Sequence, residues 1–293
     1  MKATIVKGRQ ETVGAGIEII RSLPNSKFNS VGSVVFIDHL VEKTLAPKKA
    51  EMPDGGFAHP HRGIATFTYI LAGGVHHLDS NGGEGTVYEG GIQWMKSGDG
   101  IVHDEFMPFD IQESGGKQHG LQFWLNLPAK NKAEKPAYVS VQGKDVPEID
   151  LPNNAGKIRV LLGEYENKKS TIPGYLDQFM GHIKIEARKS IQIDTVKDRE
   201  YGLYVIQGNV KIDCDIEVKT NHVTELSDFG AQIKLSNEGD EVLELIFFGG
   251  EAYKEPVVSY GPFIMNTSEE INLAYSDYRN GKYGTIDYSK VKL

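Results

Sequence analysis

Residues 57 to 79 read FAHPHRGIATFTYILAGGVHHLD. His59 and His61 flank a single proline and stand directly before a run rich in Thr, Tyr, Ile and Phe, the composition of a β-strand. Residues i and i+2 of an extended strand point to the same side, so the two imidazoles can approach one point. Pro60 stiffens the backbone between them and suits the end or edge of a strand. The stretch therefore predicts a strand with a pair of ligand-type side chains at its start.

Short strand-like runs occur along the rest of the chain. The 33 glycines of the sequence are spread along it and are not concentrated in one tract. The runs are ATFTYILAG (65–73), GTVYEGGIQWM (85–95), GLQFWLNL (120–127), KIRVLLGEY (157–165), GHIKIEA (181–187), EYGLYVIQGNVKI (200–212) and VLELIFFGG (242–250). Many short strands at close spacing predict an all-β barrel or sandwich. The clearest helix signal is NTSEEINLAYSDYRNGKY (266–283), where Thr267 and Glu270 form a capping box. In that helix Ile271, Ala274, Tyr275 and Tyr278 are predicted to share one face.

The chain also contains a faint internal repeat. YILAGGVHHLD (69–79) resembles YVIQGNVKIDC (204–214), an offset of 135 residues. At that offset His59 corresponds to Asp194 and His61 to Val196, so a second copy of the fold would lack the histidines. The stretch 127–157 is polar, contains several prolines and separates the two copies. We therefore expect two domains, residues 1–143 and residues 144–293.

The composition of the 293 residues, 39% hydrophobic and 25% charged, is that of a soluble globular protein. The formal net charge is −8 without a dense basic block, so direct nucleic-acid binding is not expected. No apolar run approaches the roughly 20 residues of a membrane span, and the first residues lack the apolar core of a secretory signal. The single cysteine, Cys214, excludes an internal disulfide framework and favours a reducing cytoplasm. We expect it to be a small buried hydrophobe.

A second pair of ligand-type residues follows in KSGDGIVHDEFM (96–107), where His103 and Glu105 again stand at i and i+2. Three imidazoles and one carboxylate are typical of Fe(II), Mn(II), Ni(II) or Zn(II) sites. A lone His-x-His is more often a surface pair or a satisfied core pair than a metal site. Two such pairs, both beside glycine turns and strands, favour the metal. Alternation predicts that Asp104 points away from it.

Other residues near these motifs are open to more than one interpretation. Phe57 and Phe123 are candidates for an apolar pocket wall, and His119 for a contact behind the ligands. Arg62 is better explained as an ion-paired side chain than as a substrate contact. His76 and His77 are adjacent and so oppose each other on a strand, and we expect both to be mainly structural.

Several long motifs resemble the pirin family of the cupin superfamily. They are HPHRGIATFTYILAG, HLDSNGGEG, GGIQWMKSGDGIVHDE, HGLQFWLNLPAKNK and EPVVSYGPFIMNTSEEINLAYSDYRNGKYG, in the family's order and over most of the chain. The resemblance implies a bicupin, two face-to-face antiparallel β-barrels of the jelly-roll type with a short C-terminal helix. It implies one divalent metal, in the N-terminal barrel only, on His59, His61, His103 and Glu105. Ala65, where pirins commonly have Glu, leaves Glu105 as the carboxylate ligand.

The same resemblance implies a quercetin 2,3-dioxygenase-type activity on flavonol-like substrates and dioxygen, with Glu105 as the general base. Fe(II) is preferred, and Ni, Mn, Co, Zn or Cu are compatible with the ligands. The alternative is a redox-sensing regulatory protein that binds other proteins without turnover; its acidic charge favours protein partners over DNA. A third possibility is a metal that is only structural. The family's usual form is a monomer, and from the composition we expect a cytoplasmic protein that does not act at membranes.

Overall fold

The computed structural model describes residues 1–14, 16–213 and 215–292, so Cys214 and the expectation attached to it lie outside the described residues. The strands are β1 (Lys2–Lys7), β2 (Arg9–Val13), β3 (Ile17–Leu23), β4 (Val34–Leu45), β5 (His59–His61), β6 (Ile64–Ala72), β7 (Gly74–Asp79), β8 (Glu84–Tyr88), β9 (Ile92–Lys96), β10 (Ile101–Phe106), β11 (Gly116–Asn126), β12 (Ala137–Val141), β13 (Glu148–Leu151), β14 (Gly156–Leu162), β15 (Glu164–Tyr165), β16 (Lys168–Lys169), β17 (Phe179–Ile185), β18 (Ser190–Asp194), β19 (Arg199–Gln207), β20 (Asn209–Ile212), β21 (Ile216–Lys219), β22 (His222–Ser227), β23 (Gln232–Ser236), β24 (Leu243–Glu251), β25 (Val258–Tyr260) and β26 (Phe263–Met265). The α-helices are α1 (Phe109–Ser114) and α2 (Ser268–Arg279). The all-β prediction is confirmed.

The chain forms two compact units. The first, which we call the HPH unit, contains Thr12–Ile19, His39–Asp145 and Lys254–Leu293; the second unit contains Met1–Glu11, Ile20–Asp38 and Val146–Tyr253. These units differ from a single division between residues 143 and 144.

Two features explain the difference. Residues at the start of the chain join the second unit because β1 pairs with β22. The helix α2, predicted for the second domain, joins the HPH unit because it packs on β25 and β26. The stretch 127–157 does not only separate the two copies of the fold, since it contains the strands β12 and β13.

The HPH unit is built on antiparallel sheets. One sheet has the strand order β5-β10-β7-β8, and in another the strands β12, β9, β6 and β11 are neighbours in that order. The strand β6, between β9 and β11, is buried over most of its length, and its residues Ile64, Phe67 and Tyr69 are at most 1% exposed. The short hairpin β25-β26 belongs to the same unit, and Phe263 and Met265 on it pack against α2.

The second unit has a sheet of order β1-β22-β19-β24-β17-β14-β13 and a smaller sheet of order β18-β23-β20-β21. Alternate residues of these strands form one apolar core. This core includes Val160, Ile183, Leu203, Val210, Ile233, Leu245 and Phe247, all fully buried. The alternation of buried and exposed residues in β18 and β23 is that of strands with one solvated face.

The strand bounds agree with the internal repeat. Adding 135 to the bounds of β6, 64 and 72, gives 199 and 207, the bounds of β19. The glycines that follow, Gly73 and Gly208, have φ of +81° and +82°, a backbone conformation that favours glycine. The two units therefore share a strand–turn–strand element at the predicted offset.

The C-terminal helix begins as predicted. The Thr267 hydroxyl accepts the backbone N–H of Glu270, and the Glu270 carboxylate accepts the backbone N–H of Thr267. The buried face differs from the prediction, because Ile271, Ala274 and Asp277 are buried whereas Tyr278 is 38% exposed. Asp277 is buried because it pairs with Arg62, a contact that the apolar pattern of the helix does not reveal. No helix among the described residues is long and apolar enough to cross a membrane.

Candidate metal centre

The strand β10 brings the two predicted ligand pairs together. It lies between β5 and β7, antiparallel to both. His103 is directly opposite His59 on one side, and Glu105 is directly opposite His77 on the other. Directly opposed residues of an antiparallel pair have their Cβ atoms roughly 5 Å apart. The sheet register therefore gathers residues that are 44 positions apart in the sequence.

Three imidazoles converge at this point. The Nε2 atoms of His59 and His103 lie 3.0 Å apart. The ring centroid of His61 is 4.9 Å from that of His59 and 5.1 Å from that of His103. One ligand atom from each of the three residues lies within 4.8 Å of the others, a spacing that could hold a metal ion.

The outward nitrogens of two rings are held by the backbone. The Nδ1 atom of His59 is 2.7 Å from the carbonyl oxygen of Phe57, and Nδ1 of His61 is 3.2 Å from that of Pro262. A carbonyl oxygen only accepts hydrogen bonds, so in both rings Nδ1 carries the proton and donates. In a neutral imidazole the lone pair is then on Nε2. Backbone contacts of this kind orient metal-binding histidines.

Burial keeps the inner rings in the form that binds metal. His61 and His103 are 1% and 0% exposed. Burial, together with the neighbouring His59, lowers the pKa of His61 to about 3, and burial lowers the pKa of His103 well below its ordinary value. Both rings are therefore neutral at pH 7, and the neutral imidazole is the ligand form.

This burial predicts an acid-sensitive metal-free protein. The unfolded chain protonates His61 below pH 6.5 but the folded chain does so only near pH 3, so stability is greatest above pH 6.5 and falls as the pH falls. Between pH 6.5 and 5 His61 alone should remove about 2 kcal/mol from the free energy of unfolding. Urea unfolding in the presence of a chelator measures this slope. The His61→Asn protein should show a shallower slope; an equal slope would contradict the assignment.

Glu105 lies beside this cluster and is held by two amides. Its ligand atom groups with those of His77 and His103, in a set that overlaps the three-histidine set at His103. The Nε2 atom of Gln93 donates to Oε1 of Glu105, and Nε2 of Gln122 donates to Oε2 at 3.4 Å. Both oxygens therefore accept hydrogen bonds, which suits the ionised carboxylate.

The donor set fits a divalent metal. Neutral imidazole nitrogens and a carboxylate oxygen suit first-row transition metals, and their geometry leaves the choice among them open. Three rings whose Nε2 lone pairs face one another repel unless a cation or a proton lies between them. A metal ion at this point satisfies all three lone pairs at once.

The other predicted site residues lie around the cluster in different ways. Phe57 is 43% exposed and contributes its carbonyl oxygen to His59. Phe123 is fully buried and packs edge-on against Phe67. His119 faces His39, with their Nε2 atoms 2.6 Å apart, and does not belong to the histidine cluster.

Arg62, the residue after His61, binds side chains of the C-terminal segment. Its Nη1 atom donates to Asp277 at 2.8 Å and to the hydroxyl of Tyr283 at 3.4 Å. The next residue, Gly63, has φ of +82°, and a Cβ there would overlap the carbonyl oxygen of Ile264. Arg62 and Gly63 therefore both have structural roles.

A buried lysine stabilises the same loop. The ammonium of Lys132, 3% exposed, donates to the carbonyl oxygens of Gly63 at 2.9 Å and Ile264 at 2.8 Å and to Oδ1 of Asn126 at 2.5 Å. Lys132→Met leaves three buried acceptors without this donor. We expect it to lower the free energy of unfolding by about 3 kcal/mol or more in urea denaturation. The exposed neighbour provides the control, because Lys130→Met should change it by less than about 0.5 kcal/mol.

Sequence reasoning missed several residues at the site. His77 is 1% exposed, stacks on Tyr138 with the ring centroids 4.2 Å apart, and contacts Asp79. Burial opposes ionisation of Asp79, but hydrogen bonds from His77 and two backbone amides outweigh it and lower its pKa. Trp124 packs edge-on against His61. The i, i+2 spacing of His77 and Asp79 is the same signal that identified the two ligand pairs. Asp104, which alternation predicted to point away from the metal, accepts the hydroxyl of Tyr288.

The two β-sheet units are cupin domains, and the HPH unit has the histidine cluster; these features define the class of the protein, and comparison with known proteins gives the family. The Pirin family model matches residues 16–125, and the model of the Pirin C-terminal cupin domain matches residues 180–284. The chain belongs to the pirin family.

Individual relatives cover nearly the whole chain. A Pseudomonas aeruginosa protein named "Putative quercetin 2,3-dioxygenase" is 31% identical over 275 residues, 92% of this chain and 93% of the relative. Human Pirin is 30% identical over 284 residues, 95% of this chain and 92% of the relative. A crystal structure of quercetin 2,3-dioxygenase from Acinetobacter baumannii has a TM-score of 0.90 and 28% identity, and covers 97% of this chain and 98% of its own.

Proposed function

We propose that the protein is a mononuclear metal-dependent dioxygenase of the quercetin 2,3-dioxygenase type. Its substrates would be dioxygen and a flavonol-like aromatic compound, and its metal, Fe(II) by preference, would be bound by His59, His61, His103 and Glu105. The observation that carries the proposal is the convergence of the imidazoles of His59, His61 and His103 in the HPH unit. The relatives with quercetin 2,3-dioxygenase names support the choice of reaction.

A divalent metal bound here would supply a Lewis acid for the substrate's hydroxyl and carbonyl oxygens and a template for dioxygen. The protein's own part begins with Glu105, which accepts the proton of the substrate hydroxyl as general base. Gln93 and Gln122 orient this carboxylate through their amide N–H groups. The indole N–H of Trp124 donates to Oε1 of Gln122 at 3.4 Å, which fixes the orientation of that amide.

The overall reaction opens the central ring of the flavonol. Both atoms of one dioxygen molecule enter the organic product, and one ring carbon leaves as carbon monoxide. The test is oxygen uptake by Fe(II)-loaded protein, prepared anaerobically, after quercetin is added. Uptake with an equal amount of carbon monoxide supports the proposal, and no uptake by fully loaded protein overturns it.

A regulatory role makes a different prediction. If the metal is a redox switch, affinity for a protein partner should change between Fe(II) and Fe(III) while no substrate turns over. The net charge of −8 favours a basic protein partner. The low cysteine content, one residue in 293, agrees with a reducing cytoplasm for either role.

A further inference from the structure

His77 lies between the ring of His103 and the carboxylate of Asp79. Whereas Nε2 of His103 faces His59, its Nδ1 lies 3.4 Å from Nδ1 of His77. On the far side of the His77 ring, Nε2 lies 3.1 Å from Oδ2 of Asp79. His77 and Asp79 are 1% and 5% exposed, so water has little access to these contacts.

The carboxylate of Asp79 determines which ring nitrogens donate in the contacts between His103, His77 and Asp79. The other oxygen of Asp79, Oδ1, accepts the backbone N–H groups of Asn81 and Gly83, each at 2.8 Å, which holds the carboxylate in place. An ionised carboxylate only accepts, so Nε2 of His77 carries a proton and donates to it. In the neutral ring Nδ1 of His77 then has the lone pair and accepts the Nδ1–H of His103.

The opposite arrangement is incompatible with a metal ligand at His103. A proton on Nδ1 of His77 would face Nδ1 of His103, which would have to accept it. The remaining proton of His103 would then be on Nε2, inside the cluster, where an N–H cannot bind a metal ion.

We propose that His77 and Asp79 are positioning residues that fix His103 as its Nδ1–H tautomer and so keep its Nε2 free to bind the metal. The inference rests on the metal site of the proposed function but does not depend on which reaction occurs there. Tyr138 supports the same arrangement, because its ring is parallel to that of His77 and restricts its rotation.

Three variants separate the hydrogen bonds from packing. His77→Phe keeps a ring against Tyr138 but removes both hydrogen bonds. His77→Gln keeps one acceptor and one donor. Asp79→Asn keeps the shape and an oxygen for the backbone amides but replaces the acceptor for His77. The matched control is His76→Phe, because His76 is the adjacent histidine and instead contacts Thr86 at 2.7 Å.

The first readout is the affinity of the full-length protein for Co(II), measured by competition with a chelator. His77→Phe and Asp79→Asn should weaken binding about 10- to 100-fold, the usual effect of removing a partner behind a metal-bound histidine. His77→Gln and His76→Phe should stay near the wild type. Unchanged affinity in both His77→Phe and Asp79→Asn would overturn the proposal. If His77→Phe does not fold, Asp79→Asn decides.

The second readout is pulsed electron paramagnetic resonance of the Cu(II)-loaded protein, which detects the remote nitrogens of bound imidazoles. Asp79→Asn should alter the signal of one remote nitrogen while the number of bound imidazoles stays constant. Loss of a bound imidazole in His77→Phe, with the remote-nitrogen signals unchanged in Asp79→Asn, would overturn the proposal, because His77 would then be a ligand. Both measurements are made without substrate, so absence of dioxygenase turnover does not affect them. Wild-type protein that binds no Co(II) would instead refute the metal site itself.

Discussion

Replacing His59 by alanine is expected to weaken metal binding by more than about 100-fold and to reduce oxygen uptake with quercetin to background. His59 supplies one of three converging Nε2 atoms, and its loss should cost more than the removal of an outer partner. It is more exposed than His61 and His103, so its truncation leaves a smaller buried void. Metal analysis of the purified protein and calorimetric titration measure the effect.

The control for this prediction is a histidine far from the cluster in sequence. His222 begins β22, and its Nδ1 contacts the carbonyl oxygen of Thr220 at 3.0 Å. His222→Ala should retain full metal content and full oxygen uptake. If His59→Ala binds metal as tightly as His222→Ala does, the three-histidine site is refuted.

Replacing Glu105 by glutamine should separate metal binding from turnover. The three imidazoles remain, so the variant should still bind metal, although more weakly. Without the carboxylate that we propose as the acceptor of the substrate proton, the turnover number should fall about 10²- to 10⁴-fold. Stopped-flow absorbance of quercetin measures proton removal from the bound substrate, because the ionised flavonol absorbs at longer wavelength.

Asp104→Asn is the matched control for Glu105→Gln. It removes the same charge from the adjacent residue, which instead accepts the hydroxyl of Tyr288 at 2.8 Å. Turnover in Asp104→Asn should stay within about tenfold of the wild type, since its carboxylate does not contact the cluster. Equal losses in the two variants would show that the local charge matters rather than a base at position 105.

Much of the fold was predictable because strand signals are local. The run 65–73 and the bounds of β6 nearly coincide, and the capping box of Thr267 and Glu270 is formed as its spacing implies. The limits of the two units were not predictable, because the pairing of β1 with β22 joins residues that are about 220 positions apart. Long-range pairing depends on the register of strands, and strand composition does not encode it.

The residues of the candidate site also divide into those that the sequence predicted and those that only the structure revealed. The sequence by itself determined that His59 and His61, and likewise His103 and Glu105, share strand faces, because alternation along a strand is a local geometric rule. Only the tertiary structure placed β10 between β5 and β7, and so brought His77 and Asp79 behind His103. It also brought Asp277 onto Arg62 across 215 residues. Hydrogen bonds between distant segments form only when the sheets assemble, so no local pattern could reveal which partner each buried polar group finds.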